Sequence, residues 1–197
     1  MPLRNPVYSI PLTASTPDNH PGYVPGKIYS CIDKAANVSN VSPFGITVFG
    51  YIPWYLPKAA NIELIIMNLV VVSSGTFTKL DIFNNENGLP STRKLALGTV
   101  NNLSNTQVAW TVNSQFDAGF HWLGLRHTSN EGYIVTGLVG STNSQINWYL
   151  GFNNRVAGAE PCFYTKANVD FNTDYLIAPK TDLGTPIRPP MFWFTTN

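Results

Sequence analysis

Three histidines, His20, His121 and His127, and two cysteines, Cys31 and Cys162, are the only such residues in the chain. Nucleophilic and metal chemistry therefore has few side chains to draw on. A hydrolase of the α/β type needs Gly-x-Ser-x-Gly at a strand-to-helix elbow, and the pattern does not occur. His20 lies among prolines that would not hold a base within reach of its proton. His121 and His127 share strand parity but would stand about 20 Å apart if the chain is extended, too far to chelate one ion. Their ordinary readings are a sheet-face residue beside Phe120 and Trp122, and a strand-end residue. Glycoside hydrolysis asks only for two carboxylates about 5–10 Å apart. The acids Glu63, Asp81, Glu86, Asp117, Glu131, Glu160, Asp170, Asp174 and Asp182 are scattered, and are read as decorating solvent faces and turns. Asn85, Asn87 and Gly88 resemble the middle of a calcium loop, but its first ligand position would be Phe83, which offers no oxygen. No catalytic, metal or cofactor residue is assigned.

The aromatic set carries more information. Trp54, Trp110, Trp122, Trp148 and Trp193, with Tyr51, Tyr55, Tyr149, Tyr164 and Tyr175, occur in an Asn-rich chain, a composition that permits sugars to stack on flat rings. A sandwich of this size uses the same residues as core. Trp54 and Trp148 lie next to turn signals and are the least tied to a core by pattern. The sequons at Asn37, Asn40 and Asn102 matter only in a eukaryotic secretory path, for which the N-terminal sequence gives no signal.

The elements that would position these residues are strands. The chain has 197 residues, 12% of them charged, about half the usual share, while 44% are hydrophobic. Disorder of the whole is excluded by that apolar content, and a net charge of +1 supplies no footprint for a phosphate backbone. Nucleic acid is not an expected partner. The longest apolar stretch, Leu64 to Val72, contains Asn68 and falls far short of the roughly 20 residues that span a bilayer, so no membrane insertion is expected. Cys31 and Cys162 lie far apart in sequence and could form one bridge, but free buried thiols are the favoured reading, since a domain of this size needs no bridge.

Residues 1–26 contain Pro2, Pro6, Pro11, Pro17, Pro21 and Pro25 and read as an extended arm. Val7, Tyr8, Ile10, Leu12 and Tyr23 suit an arm lying on a neighbouring surface. Residues 27–197 read as one all-β domain. Asn61 to Val72 has the pattern of a central strand buried on both faces, one of which a partner subunit could cover. Thr78 to Phe83 alternates, with Leu80 and Ile82 inward and Lys79 and Asp81 toward solvent. Asn87-Gly88 supplies left-handed turn conformations. In the segment Gln107 to Val112 the inward residues are Val108, Trp110 and Val112. Phe120–Leu125, Gly132–Leu138, Ile146–Phe152 and Met191–Thr195 complete the set. No capped amphipathic helix and no repeat is visible, and short strands with Gly, Pro and Asn turns predict an antiparallel β-sandwich of jelly-roll type.

Four stretches together resemble a known module. They are Tyr51-Ile52-Pro53-Trp54-Tyr55-Leu56-Pro57; Leu80 to Ser91; Leu97-Gly98-Thr99-Val100; and Phe120-His121-Trp122-Leu123-Gly124-Leu125. They are similar to the β-sandwich module of tailed-bacteriophage virion proteins, with its aromatic entry strand, "R-L-G-I-Y-x-x-x-x-G-x-P" hairpin, "D-x-G-T-V" strand and "G-x-Y-W-L" strand. Pro189-Pro190-Met191-Phe192-Trp193-Phe194 resembles its closing strand. The likeness runs over residues 27–197. Two positions depart from it: Lys79-Leu80-Asp81-Ile82 stands where Arg-Leu-Gly-Ile is common, and Ala96 replaces the usual acid. The resemblance implies a non-enzymatic structural protein on the virion exterior, made in the bacterial host cytoplasm. It also implies a homotrimer among other virion proteins, tail-associated as a fibre or adhesion module, for which a host surface glycan is a candidate partner. A capsid decoration (cement) protein and a stand-alone carbohydrate-binding module are the alternatives. No ligand or catalytic residue carries over from the family.

Overall fold

The computed structural model describes residues 22–30, 38–41, 45–128, 134–138, 164–179, 181 and 190–197. Eleven strands form within them: β1 (Ile28–Ser30), β2 (Val38–Val41), β3 (Phe49–Leu56), β4 (Ala60–Val71), β5 (Phe77–Glu86), β6 (Leu89–Asn101), β7 (Thr106–Phe116), β8 (Gly119–His127), β9 (Ile134–Leu138), β10 (Tyr164–Lys166) and β11 (Phe192–Thr196). All pairings are antiparallel. One sheet runs β1-β11-β4-β9-β2, with β7 on the opposite side of β4, and the other runs β10-β3-β8-β5-β6. The two sheets pack face to face, so the predicted two-sheet antiparallel architecture is present. Among the described residues no helix is long and apolar enough to cross a membrane. The strand expected at Ile146–Phe152, the residues before Gly22, both cysteines and Trp148 lie outside the described residues.

Between the sheets, Ile52, Trp54 and Leu56 of β3, Leu80 and Ile82 of β5, and Leu123 and Leu125 of β8 meet Ile65, Met67 and Leu69 of β4, Val108, Trp110 and Val112 of β7, and Phe192 and Phe194 of β11. The alternation expected in β7 is observed: Gln107, Ala109 and Thr111 are exposed. Trp54, the tryptophan whose turn-side position made a surface role plausible by pattern, is fully buried against Phe116 and Phe194. A turn nearby in sequence does not set the direction of a strand side chain; the pleat does.

Within the chain the long apolar strand is fully covered on one face. On β4 one face enters the core, while Asn61 is exposed and Glu63, Leu64 and Asn68 are half-buried on the other. Its unbroken apolar run has a second cause. Thr195 pairs with Leu64 and Thr196 with Ile62, so Glu63 is an extra residue relative to β11, and the alternation shifts to let Ile62 and Ile65 both face inward. Asn87 (φ 54°) and Gly88 (φ 80°) form the two-residue turn between Glu86 and Leu89, the left-handed pair expected of a tight hairpin. Tyr23, read from sequence as part of the arm, packs its ring 5.0 Å from Tyr29 and 5.5 Å from Phe194, and the Gly26 amide donates to the Thr196 carbonyl.

Candidate functional site

The pleat of β8 sends Leu123 and Leu125 into the core and turns Trp122, Gly124 and Arg126 to the outer face of the five-stranded sheet. In register beside them stand Tyr51 and Asp81 flanking Gly124, and Phe83 beside Trp122. On an uncovered sandwich this face would be wet. Here Phe49, Tyr51, Phe83 and Trp122 are buried in a second apolar cluster with Val169 and Ala178, because residues 167–179 cross the face as a strap.

Asp81 corrects the sequence reading. Alternation placed it toward solvent with Lys79, yet it is fully buried, and Arg126 beside it is 1% exposed. Arg126 Nη2 donates to Asp81 Oδ2 at 2.7 Å. Its Nη1 lies within hydrogen-bond distance of three strap carbonyls, Asp170 (3.2 Å), Phe171 (3.2 Å) and Thr173 (2.7 Å). The guanidinium lies 4.6 Å from the centre of the Phe49 ring and 5.0 Å from that of Tyr175, within cation–π range of both. Arg93 of β6 extends the network, with Nη1 3.8 Å from Asp81 Oδ1 and both terminal nitrogens donating to the Asp174 carboxylate on the strap. Tyr51 Oη reaches the Pro179 carbonyl at 3.4 Å.

Burial pushes the Asp81 carboxyl above its ordinary value, and the Arg126 guanidinium offsets part of that rise. Asp174, exposed and bonded to Arg93, is held below the usual carboxylate range. Burial also pushes the Tyr51 phenol far up. Each carboxylate in the network thus meets an arginine, and each arginine is directed at protein oxygens. What the arrangement does chemically is fasten the strap to the sheet.

The remaining acids fall where sequence placed them or outside view. Glu86, Asp117, Asp170 and Asp174 are exposed, and Asp170 closes a turn by accepting from the Asn172 amide and the Thr173 hydroxyl. Glu63 is half-buried and accepts from Thr195 Oγ1. Glu131, Glu160 and Asp182 lie outside the described residues, as does His20. Among the described residues no three His, Cys, Asp or Glu side chains gather as metal ligands.

His121 and His127 both sit on β8 and both are buried. His127, at the strand end, borders a shallow cleft of about 520 Å³ with Thr47, Thr128, Asn168, Asp170 and Phe171. His121 faces inward between Trp54 and Phe116, with Nε2 3.0 Å from the Asp117 carbonyl and no hydrogen-bond partner for Nδ1 among the described residues. A carbonyl only accepts, so Nε2 carries the hydrogen and Nδ1 a buried lone pair. Burial lowers the pKa of this ring, with Lys94 nearby adding to the effect.

An acid-sensitive stability follows. The unfolded chain binds a proton at His121 near pH 6.5 and the folded chain resists it, so stability falls as pH drops below about 6.5 toward the lower folded pKa. The slope from this group is bounded by about 1.4 kcal/mol per pH unit. Urea titrations of wild type and His121→Gln at pH 7 and pH 5 are expected to show a smaller pH-dependent loss in the variant. Equal losses would remove His121 as the cause.

No protein-family model matches the chain, and no curated protein matches it. The geometry stands by itself. Sequence reading passed over Arg93 and Arg126 entirely. One signal was present: Asp81 occupies a place where the resembling hairpins carry glycine.

Proposed function

We propose that the chain is a non-enzymatic structural protein of the exterior of a tailed-phage virion, a jelly-roll module that trimerises and is held in the particle by its proline-rich N-terminal arm. One observation carries the reading. The four stretches that resemble the phage module, scattered over residues 51–125, fall on β3, β5, β6 and β8, which are contiguous in one sheet in the order β3-β8-β5-β6. The stretch that resembles the closing strand reaches β11 of the other sheet, where Phe192 and Phe194 pack on the same core. The construction of the outer face is in keeping with the reading, since the buried charges there are arranged to hold backbone in place.

The mechanism in this reading is geometric. The arm gains affinity by burying Tyr8, Ile10 and Leu12 on a neighbour and by strand addition at a sheet edge, against the entropy of ordering it. Because Tyr23 packs on Tyr29 and Phe194, the truncation that isolates the arm ends at residue 21. Light scattering on the whole chain and on the chain lacking residues 1–21 is expected to give a trimer in both cases, with only the truncated form failing to join particles. A monomer in both forms, with tryptophan fluorescence that responds to simple sugars, would replace this reading with the carbohydrate-binding module. Normal incorporation of the truncated chain would overturn the anchoring role of the arm.

A further inference from the structure

The strap is attached to the sandwich without being part of its core. Its apolar residues Val169, Ala178 and Tyr175 pack only with the outer-face cluster, and no strap residue enters the layer between the sheets. Among the described residues its backbone bonds to other backbone at its two ends: the Val169 amide donates to the carbonyl of Thr47, just before β3, the Ala178 amide to that of Ser91, and the Arg93 amide to that of Leu176. Between those ends one nitrogen of Arg126, Nη1, lies within hydrogen-bond distance of three of its carbonyls, and Arg93 holds Asp174. Leu176 and Ile177, by contrast, are 64% and 65% exposed and contribute little apolar burial. A segment fixed by polar contacts, with its large aliphatic side chains outward, has the composition of a low-stability unit rather than of core.

We infer that residues 167–179 open and close as one cooperative unit over a sandwich that stays folded, with Arg126 as the lock. Opening carries Tyr175 and Val169 away from Phe49 and Phe83, hydrates the Asp81–Arg126 pair, and frees the Ser91 carbonyl and Arg93 amide at the edge of β6. Those two groups are then available to another extended strand, in the place residues 176–178 fill when closed.

Native-state hydrogen exchange on the full chain in low urea tests this. The amides of Arg93, Val169 and Ala178 are expected to share one protection level at least about tenfold below that of the β4 amides, with one shared urea dependence smaller than that of global unfolding. Exchange of these amides together with β4 would overturn the inference by making the strap part of the global unit. Independent exchange with no urea dependence would overturn it by making the strap a set of fraying bonds. Arg126→Met is expected to lose the shared protection while β4 keeps its own. Tyr175→Ala, altered on the strap itself, serves where Arg126→Met does not fold. It must lower protection at Arg93, Val169 and Ala178 together, and an equal loss in β4 would overturn the inference.

Discussion

Asp81→Leu is expected to lower the stability of the folded chain by about 3 kcal/mol, at the lower end of what breaking a buried ion pair costs. For a domain near this size that is a drop of about 6–12 °C in melting temperature. The loss arises mainly from Arg126, whose guanidinium is left facing leucine in a site with 1% exposure. It is bounded because an open strap returns Arg126 to water, so the variant opens rather than sustain a larger penalty. Asp81→Asn retains an oxygen acceptor for Arg126 Nη2 and should lose about 1–2 kcal/mol. The discriminating measurement is the double variant Asp81→Leu with Arg126→Met, in thermal and urea melts. Two neutral side chains facing one another should be less destabilised than the sum of the single variants by about 2 kcal/mol. Strict additivity would mean that the pair is not coupled and that the 2.7 Å contact has little energetic weight.

The pH dependence of this pair has a sign opposite to that of His121. Burial raises the Asp81 carboxyl in the folded chain, so the folded state takes up its proton before the unfolded state does. This group alone therefore makes folding more favourable as pH falls from its folded pKa toward the ordinary carboxylate value. At His121 the order is reversed, because the unfolded state binds the proton first and stability falls as pH drops.

How much of this was legible depends on which residues decide it. The strands follow from alternation where one face is apolar and the other polar, as in Gln107 to Val112, and from turn chemistry where only a left-handed pair fits, as at Asn87-Gly88. The strand at Ala60–Val71 was legible as an element, but a single extra residue at Glu63 reverses the alternation and gives the pattern of a strand buried on both sides. The outer-face site was not legible. Asp81 alternates like a solvent residue because it does face away from the core, and its burial is supplied by a strap some ninety positions later in the chain. Period-two reasoning assigns faces of a strand, not what lies over them. A charge partner forty-five positions away, Arg126, is a fact of topology: β5 and β8 become neighbours only when the sheet closes.

Gly124→Ala is expected to cost about 2–3 kcal/mol, through space and not through backbone conformation. The glycine pairs with Tyr51 on one side and Asp81 on the other, at the centre of the outer face. A methyl group there would lie 2.5 Å from Phe83 Cε2 and 2.8 Å from Phe49 Cε2, closer than real side-chain contacts come. Neither ring can retreat freely, since both are fully buried, Phe49 leans on Tyr51 and Tyr175, and the Arg126 guanidinium covers the face of Phe49. Overpacking of a dense cluster typically costs about 1–3 kcal/mol, and here two rings must move for one methyl. Gly88 offers the contrast: nothing lies within 4 Å of a Cβ built there, and its φ of 80° alone disfavours a side chain. The two glycines therefore predict different rescues. Phe83→Leu should recover part of the loss in Gly124→Ala, because shortening the nearer ring opens the space, whereas Gly88→Asn should be tolerated better than Gly88→Ala because asparagine accepts the left-handed conformation. Melting temperatures of these variants decide the matter, and a Gly124→Ala protein as stable as wild type would show that the rings over β8 are not packed as tightly as their distances indicate.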